Sequence, residues 1–158
     1  MAIITCLFLF NENDVLLEKL NENVTLIEKY NKFKSAGINK TIEFPENIIE
    51  KIIDTAMSFV GTPNKIGGID KSGIDASGLV YVSIKKNSNT LFPRIAQDMA
   101  RYGLFISDSD NLKRGDLVFF HDTYEVNRII TSVGIYLGDG EFINSSSSKG
   151  VTVSDIND

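Results

Sequence analysis

The hydrophobic period of this 158-residue chain changes once, and that change limits the folds open to it. Up to about residue 102, apolar residues recur near the helical spacing; beyond Gly115 they alternate in short runs cut by glycine turns. A chain that places its helices first and its hairpin-linked strands afterwards builds an α+β fold, not a wound parallel sheet.

The elements can be placed from these signals. Ile3 to Phe10 is apolar and predicts a strand or a packed segment. Val15 to Lys34 carries Leu16, Leu20, Ile27 and Tyr30 near a helical period, and Ala36-Gly37 is expected to stop that helix. Pro45 opens a second helix whose stripe runs through Ile48, Ile49, Ile52, Ile53, Ala56, Phe59 and Val60 to Gly61. A glycine-rich loop spans Gly61 to Gly73, and Asp75 is the expected N-cap of a third helix, about Ala76 to Lys86. A helix is predicted over Ile95 to Tyr102. Leu117 to Phe120, Ser132 to Leu137, Glu141 to Asn144 and Val151 to Val153 read as strands. Gly138-Asp139-Gly140 is a hairpin turn, and Ser145 to Gly150 is expected as a loop.

Charge excludes one class of partner. The chain carries a net −5, which repels phosphate backbones and argues against nucleic-acid binding. A single cysteine, Cys6, allows no internal disulfide. The apolar start is too short to span a bilayer, and no leader is evident. Asp108, Asp110 and Asn111 lack the glycine and distal glutamate of a calcium loop, so no metal and no cofactor is expected. His121, the only histidine, reads as a loop residue.

A series of motifs then occurs in order: Gly61-Thr62-Pro63, Gly67-Gly68, Gly73-Ile74-Asp75-Ala76-Ser77-Gly78, Phe92-Pro93-Arg94 with Gln97, Gly115 to Phe120, Val133 to Gly138, Phe142-Ile143 and Gly150-Val151. From about Glu46 to Ile156 the chain resembles the NlpC family of papain-like cysteine peptidases. The resemblance implies a papain-like α+β core, N-terminal helices packed on a small antiparallel sheet. It also implies cleavage of peptidoglycan stem peptides next to D-glutamate, in the bacterial envelope or outside the cell. On this reading residues 1–45 are an N-terminal strand and helix packing on an NlpC-like domain, 46–158.

The family's chemistry needs a thiolate at a helix N-terminus, a histidine base, a polar group orienting that base, and a tyrosine polarising the intermediate's oxygen. By resemblance the nucleophile falls on Ala76, the base on Ser132, the orienting residue on Asn144 and the tyrosine on Asn64. A methyl group has no lone pair to attack with, and a serine hydroxyl is no base near neutral pH. In comparable catalytic units, loss of the nucleophile alone costs roughly a millionfold in rate. Asp75, Ser77, Gly78 and Ser145 would line the groove around these positions.

Three functions follow as expectations. The first is a pseudoenzyme that binds stem peptide or an envelope protein without cutting it. The second is an active-site mutant of a peptidoglycan endopeptidase. The third is a purely structural or protein-interaction domain. The oligomeric state is left open, and the short sheet edge is a site where a partner strand could add.

Overall fold

The computed structural model describes residues 6–8 (backbone), 31–38, 40–45, 47–106, 109–121 and 129–157. Most of the predicted helix over Val15 to Lys34 lies outside these residues. Its end is described: residues 31–35 are helical, and Gly37 follows with φ 93°, a left-handed position that glycine adopts without a Cβ penalty.

Helix α1 is Ile48–Met57 and α2 is Ala76–Asn87. The apolar stripe explains how α1 sits. Ile48, Ile52, Ile53 and Ala56 are buried, and Phe59 joins them just past the helix. Val60, expected on the same stripe, is exposed, because the helix gives way to turns after Met57. Helix α3, Ala96–Met99, is shorter than the predicted Ile95 to Tyr102. Tyr102 is drawn instead into an isolated parallel bridge with Lys40.

Six strands form the main sheet: β1 (Cys6–Phe8), β4 (Phe105–Ile106), β5 (Leu117–His121), β6 (Ile130–Gly138), β7 (Glu141–Ser146) and β8 (Gly150–Asp155). Their order is β4-β1-β5-β6-β7-β8. From β5 to β8 neighbouring strands are antiparallel, as the alternation predicts; β1 lies parallel between β4 and β5. The N-terminal strand therefore joins the sheet on the side away from β8. A separate two-stranded hairpin, β2 (Ile69–Asp70) and β3 (Gly73–Ile74), occupies part of the predicted glycine-rich loop.

The core lies between the helices and one face of the sheet. Leu79, Val80 and Ile84 of α2 share it with Leu117, Phe119, Val133, Ile135, Ile143 and Val151. Side chains of opposite parity, Val118 and Phe142 with Phe120 and Tyr136 against them, form a smaller cluster on the other face. His121 corrects its expected loop placement: it is the last residue of β5 and is half-buried. Ser145 corrects the loop expected from there to Gly150. It lies in β7 opposite Val151 and is buried, leaving the turn to the residues around Ser147–Lys149.

Candidate functional site

The site is built on the N-terminus of α2. Asp75 is extended (φ −89°, ψ 171°), and its carboxylate accepts the Gly78 N–H at 2.6 Å, satisfying a donor that the helix leaves unpaired. The same carboxylate accepts the Gly67 N–H at 2.6 Å, so the cap also holds the loop before the hairpin. Arg94 closes the cluster from the far side. It donates to Asp75 Oδ2 at 3.0 Å, to the Ser77 hydroxyl at 2.8 Å and to the Gly68 carbonyl at 3.1 Å, and it forms an ion pair with Asp75 Oδ1 at 2.9 Å. One planar guanidinium thus ties the hairpin approach, the cap and the first turn of the helix.

Gly78 is required by this close approach. A Cβ there would run into the Gly68 carbonyl and lie 2.9 Å from both Arg94 Nη2 and Asp75 Oδ1. In the sequence Arg94 is only part of a motif, because its clamp reaches partners 17 and 26 positions away. The available signal was an N-cap carboxylate with a glycine-rich loop before it and an arginine after it.

Ala76 is the first residue of α2 and is buried, in the same core cluster as Val133 and Ile143. Its neighbour Ser77 is engaged: the hydroxyl accepts from Arg94 and lies 3.3 Å from Asp75 Oδ1. A guanidinium cannot take its proton, and the Asp75 carboxylate already serves two N–H groups and the arginine.

The hairpin is tied to the sheet by Asn64 and Ser145. The Ser145 hydroxyl donates to the Ile74 carbonyl at 2.7 Å. The Asn64 side-chain amide donates to Ser145 Oγ at 2.9 Å and to the Ser145 carbonyl at 3.3 Å. On either side of Asn64, Pro63 O accepts from Ile74 N–H (3.0 Å) and Lys65 N–H donates to Ile74 O (3.4 Å). Asn64 is therefore set against Ile74, two residues before Ala76.

Ser132 and Asn144 come from the sheet. Ser132 pairs with Phe120, and the register slips immediately beyond, with two β6 residues opposing His121. Thr131 is the extra residue, a bulge of the kind that re-aims neighbouring side chains. The β6–β7 register pairs Ile135 with Ile143, which sets Gly134 against Asn144. A Cβ on Gly134 would lie 3.3 Å from Asn144 Cβ and 2.7 Å from the Phe142 ring. Ser132, two residues along, shares that face with Asn144. Continued, the same register brings Val133 opposite Ser145, so Ser132 reaches the end of the sheet that Ser145 joins to Ile74.

The structure thus assembles two linked clusters, Asp75–Ser77–Gly78–Arg94 and Asn64–Ser145–Ile74, with Ala76 between them; the register puts Ser132 and Asn144 on the face of β6 and β7 that carries Phe142, whereas Ala76 packs with Val133 and Ile143 of the other face. A methyl, a hydroxyl and a carboxamide offer neither a thiolate nor a base. On the hairpin, the Ser72 hydroxyl and N–H bonded to the exposed Asp70 hold that carboxyl below its ordinary value. Among the described residues no cluster of His, Cys, Asp or Glu could hold a metal ion. No helix among them is long and apolar enough to cross a membrane.

The model of the NlpC/P60 family matches residues 61–158. The probable endopeptidase NlpC of Escherichia coli is 38% identical over 104 residues, covering 66% of each chain. A crystal structure of an NlpC/P60 family protein from Bacillus cereus superposes with a TM-score of 0.63 at 27% identity, over 73% of this chain and 37% of that one. RipD of Mycobacterium tuberculosis, described as a non-catalytic NlpC/p60 domain protein adapted to peptidoglycan binding, superposes with a TM-score of 0.57 at 24% identity, over 70% of this chain and 89% of that one. The chain spans about two thirds or less of the length of the curated relatives it matches.

Proposed function

Because the chain belongs to the NlpC/P60 family, whose model covers residues 61–158, we propose that it is a non-catalytic member that binds peptidoglycan stem peptide in the groove over Ala76 without cutting it. One observation carries this reading. The polar scaffold around the helix N-terminus is complete, with Asp75, Ser77, Gly78 and Arg94 bonded to one another, while Ala76 stands at the position it frames.

Two further features support it. Ser132 and Asn144 retain a shared face beside a bulge, yet neither can serve as a base near neutral pH. RipD offers a protein of the same fold described as non-catalytic and adapted to peptidoglycan binding. The proposed location is the bacterial envelope or beyond it, where the relatives' endopeptidase names place their substrate. Residues 1–45 are proposed as a segment added to the NlpC-like domain, 46–158.

Isothermal titration of a stem tetrapeptide into the protein, followed by mass spectrometry of the recovered ligand, tests the reading. Saturable heat with intact peptide is expected. No heat at millimolar ligand would remove the peptide-binding form of the proposal, and cleaved peptide would remove its non-catalytic form. The reading that this is an inactivated endopeptidase rests on the endopeptidase names of the relatives; it requires the natural gene to encode Cys at 76 and His at 132.

A further inference from the structure

The hydrogen bonds of Asn64 fix which way its amide faces. The Ser145 hydroxyl spends its only proton on the Ile74 carbonyl, so towards Asn64 it can only accept. The Ser145 carbonyl is likewise an acceptor. Both face the Asn64 side chain at 2.9 and 3.3 Å, and an oxygen placed there would oppose two acceptors. The amide nitrogen must therefore point to Ser145. Its other terminus, Oδ1, has no hydrogen-bond partner among the described residues, and Asn64 is only half-buried.

Asn64 consequently carries a half-buried acceptor beside Ile74, two residues before Ala76 in the chain. A phenolic hydroxyl at such a position could donate to a ligand oxygen; a fixed Oδ1 cannot. It attracts N–H groups and repels carboxylate oxygens, and the net charge of −5 adds to that repulsion. We infer that Asn64 makes the groove selective for a ligand carboxamide over the corresponding carboxylate. If the groove binds stem peptide as proposed above, the preferred form is one whose D-glutamate carboxyl is amidated. This inference rests on that reading for the identity of the peptide, but not for the polarity of the site.

The test compares two tripeptides, L-Ala-D-isoglutaminyl-L-Lys and L-Ala-γ-D-glutamyl-L-Lys, by calorimetry against wild type, Asn64→Ala and Ser145→Ala, each checked for folding by circular dichroism. One hydrogen bond lost and one repulsion gained correspond to about fivefold to tenfold in Kd. Wild type should prefer the amidated peptide by that factor. Asn64→Ala should lose most of the preference, keeping only what the net charge contributes, and Ser145→Ala, which frees the amide to turn, should keep a larger part of it. Equal binding of both peptides by wild type overturns the inference while leaving the binding function intact. If neither peptide binds, the proposed function fails, and the selectivity is decided by titrating ¹⁵N-labelled protein with acetamide and with acetate. Acetamide should move the Asn64 side-chain resonances and acetate should not; equal or absent shifts overturn the inference.

Discussion

The two halves of the site differ in what their side chains hold. At the N-terminus of α2, Asp75, Ser77, Gly78 and Arg94 form a closed set of hydrogen bonds, each group answering another. At Ala76, Ser132 and Asn144 the side chains are a methyl, a hydroxyl and a carboxamide. Scaffold residues are constrained by folding itself, because a helix end left without its cap or a carboxylate left without its arginine costs stability. Relay residues are constrained only by turnover. Their contrast is what a groove maintained without catalysis would show.

Substitutions on the scaffold side should give the largest effects. Gly78→Val forces a side chain into the Gly68 carbonyl and the Arg94 guanidinium, and a loss of about 3 kcal/mol is expected in urea unfolding. Arg94→Met removes three hydrogen bonds and an ion pair whose side chains are 20–30% exposed. Solvent screening places its cost between a surface and a buried pair, about 2 kcal/mol by the same measurement. A change below about 0.5 kcal/mol in both would erase the distinction between the two halves.

On the relay side the expected effects are small. Ser132→Ala should stay within about 0.5 kcal/mol of wild type in thermal melts, since its side chain is half-buried and no cap or ion pair depends on it. A loss above 2 kcal/mol would mean that Ser132 is part of the scaffold. The smallest effect is expected away from the groove. Glu50 meets Arg114 at 2.8 Å, and this hydrogen bond, helped by the arginine's charge, lowers the Glu50 pKa from 4.5. Its stabilisation is therefore present above the unfolded-state value and is lost as pH falls through the lower folded-state value. Both groups are largely exposed, so Glu50→Gln should cost only a few tenths of a kcal/mol at neutral pH, a difference that vanishes in acid. Measured stability curves of the two proteins should converge below pH 4.5.

The sheet was more legible in the sequence than the site's hydrogen bonds. Gly138-Asp139-Gly140 and the alternation through Val133 and Ile135 announce β6, its turn and β7, because period and turn chemistry are local. The two-residue strands β2, β3 and β4 are too short to carry a period, and they exist through pairing with partners chosen by the fold. Ser145 was misplaced for a related reason. A run of four serines has the composition of a loop, yet the hydroxyl of Ser145 is buried by an acceptor 71 positions away, Ile74. The Arg94 clamp likewise joins residues 17 to 26 positions apart. The positions of Ala76 and Asp75 were legible because an N-cap carboxylate before a helix is a local signal.

The central claim is that the scaffold persists without a relay, and Ala76→Cys tests it most directly. The variant returns a thiol to the N-terminus of α2 but leaves Ser132 and Asn144 unable to take its proton. Incubated with stem tetrapeptide and followed by mass spectrometry, it should release no more product than the wild-type protein. Measurable cleavage by this single substitution would show that a working base is present and would contradict the account.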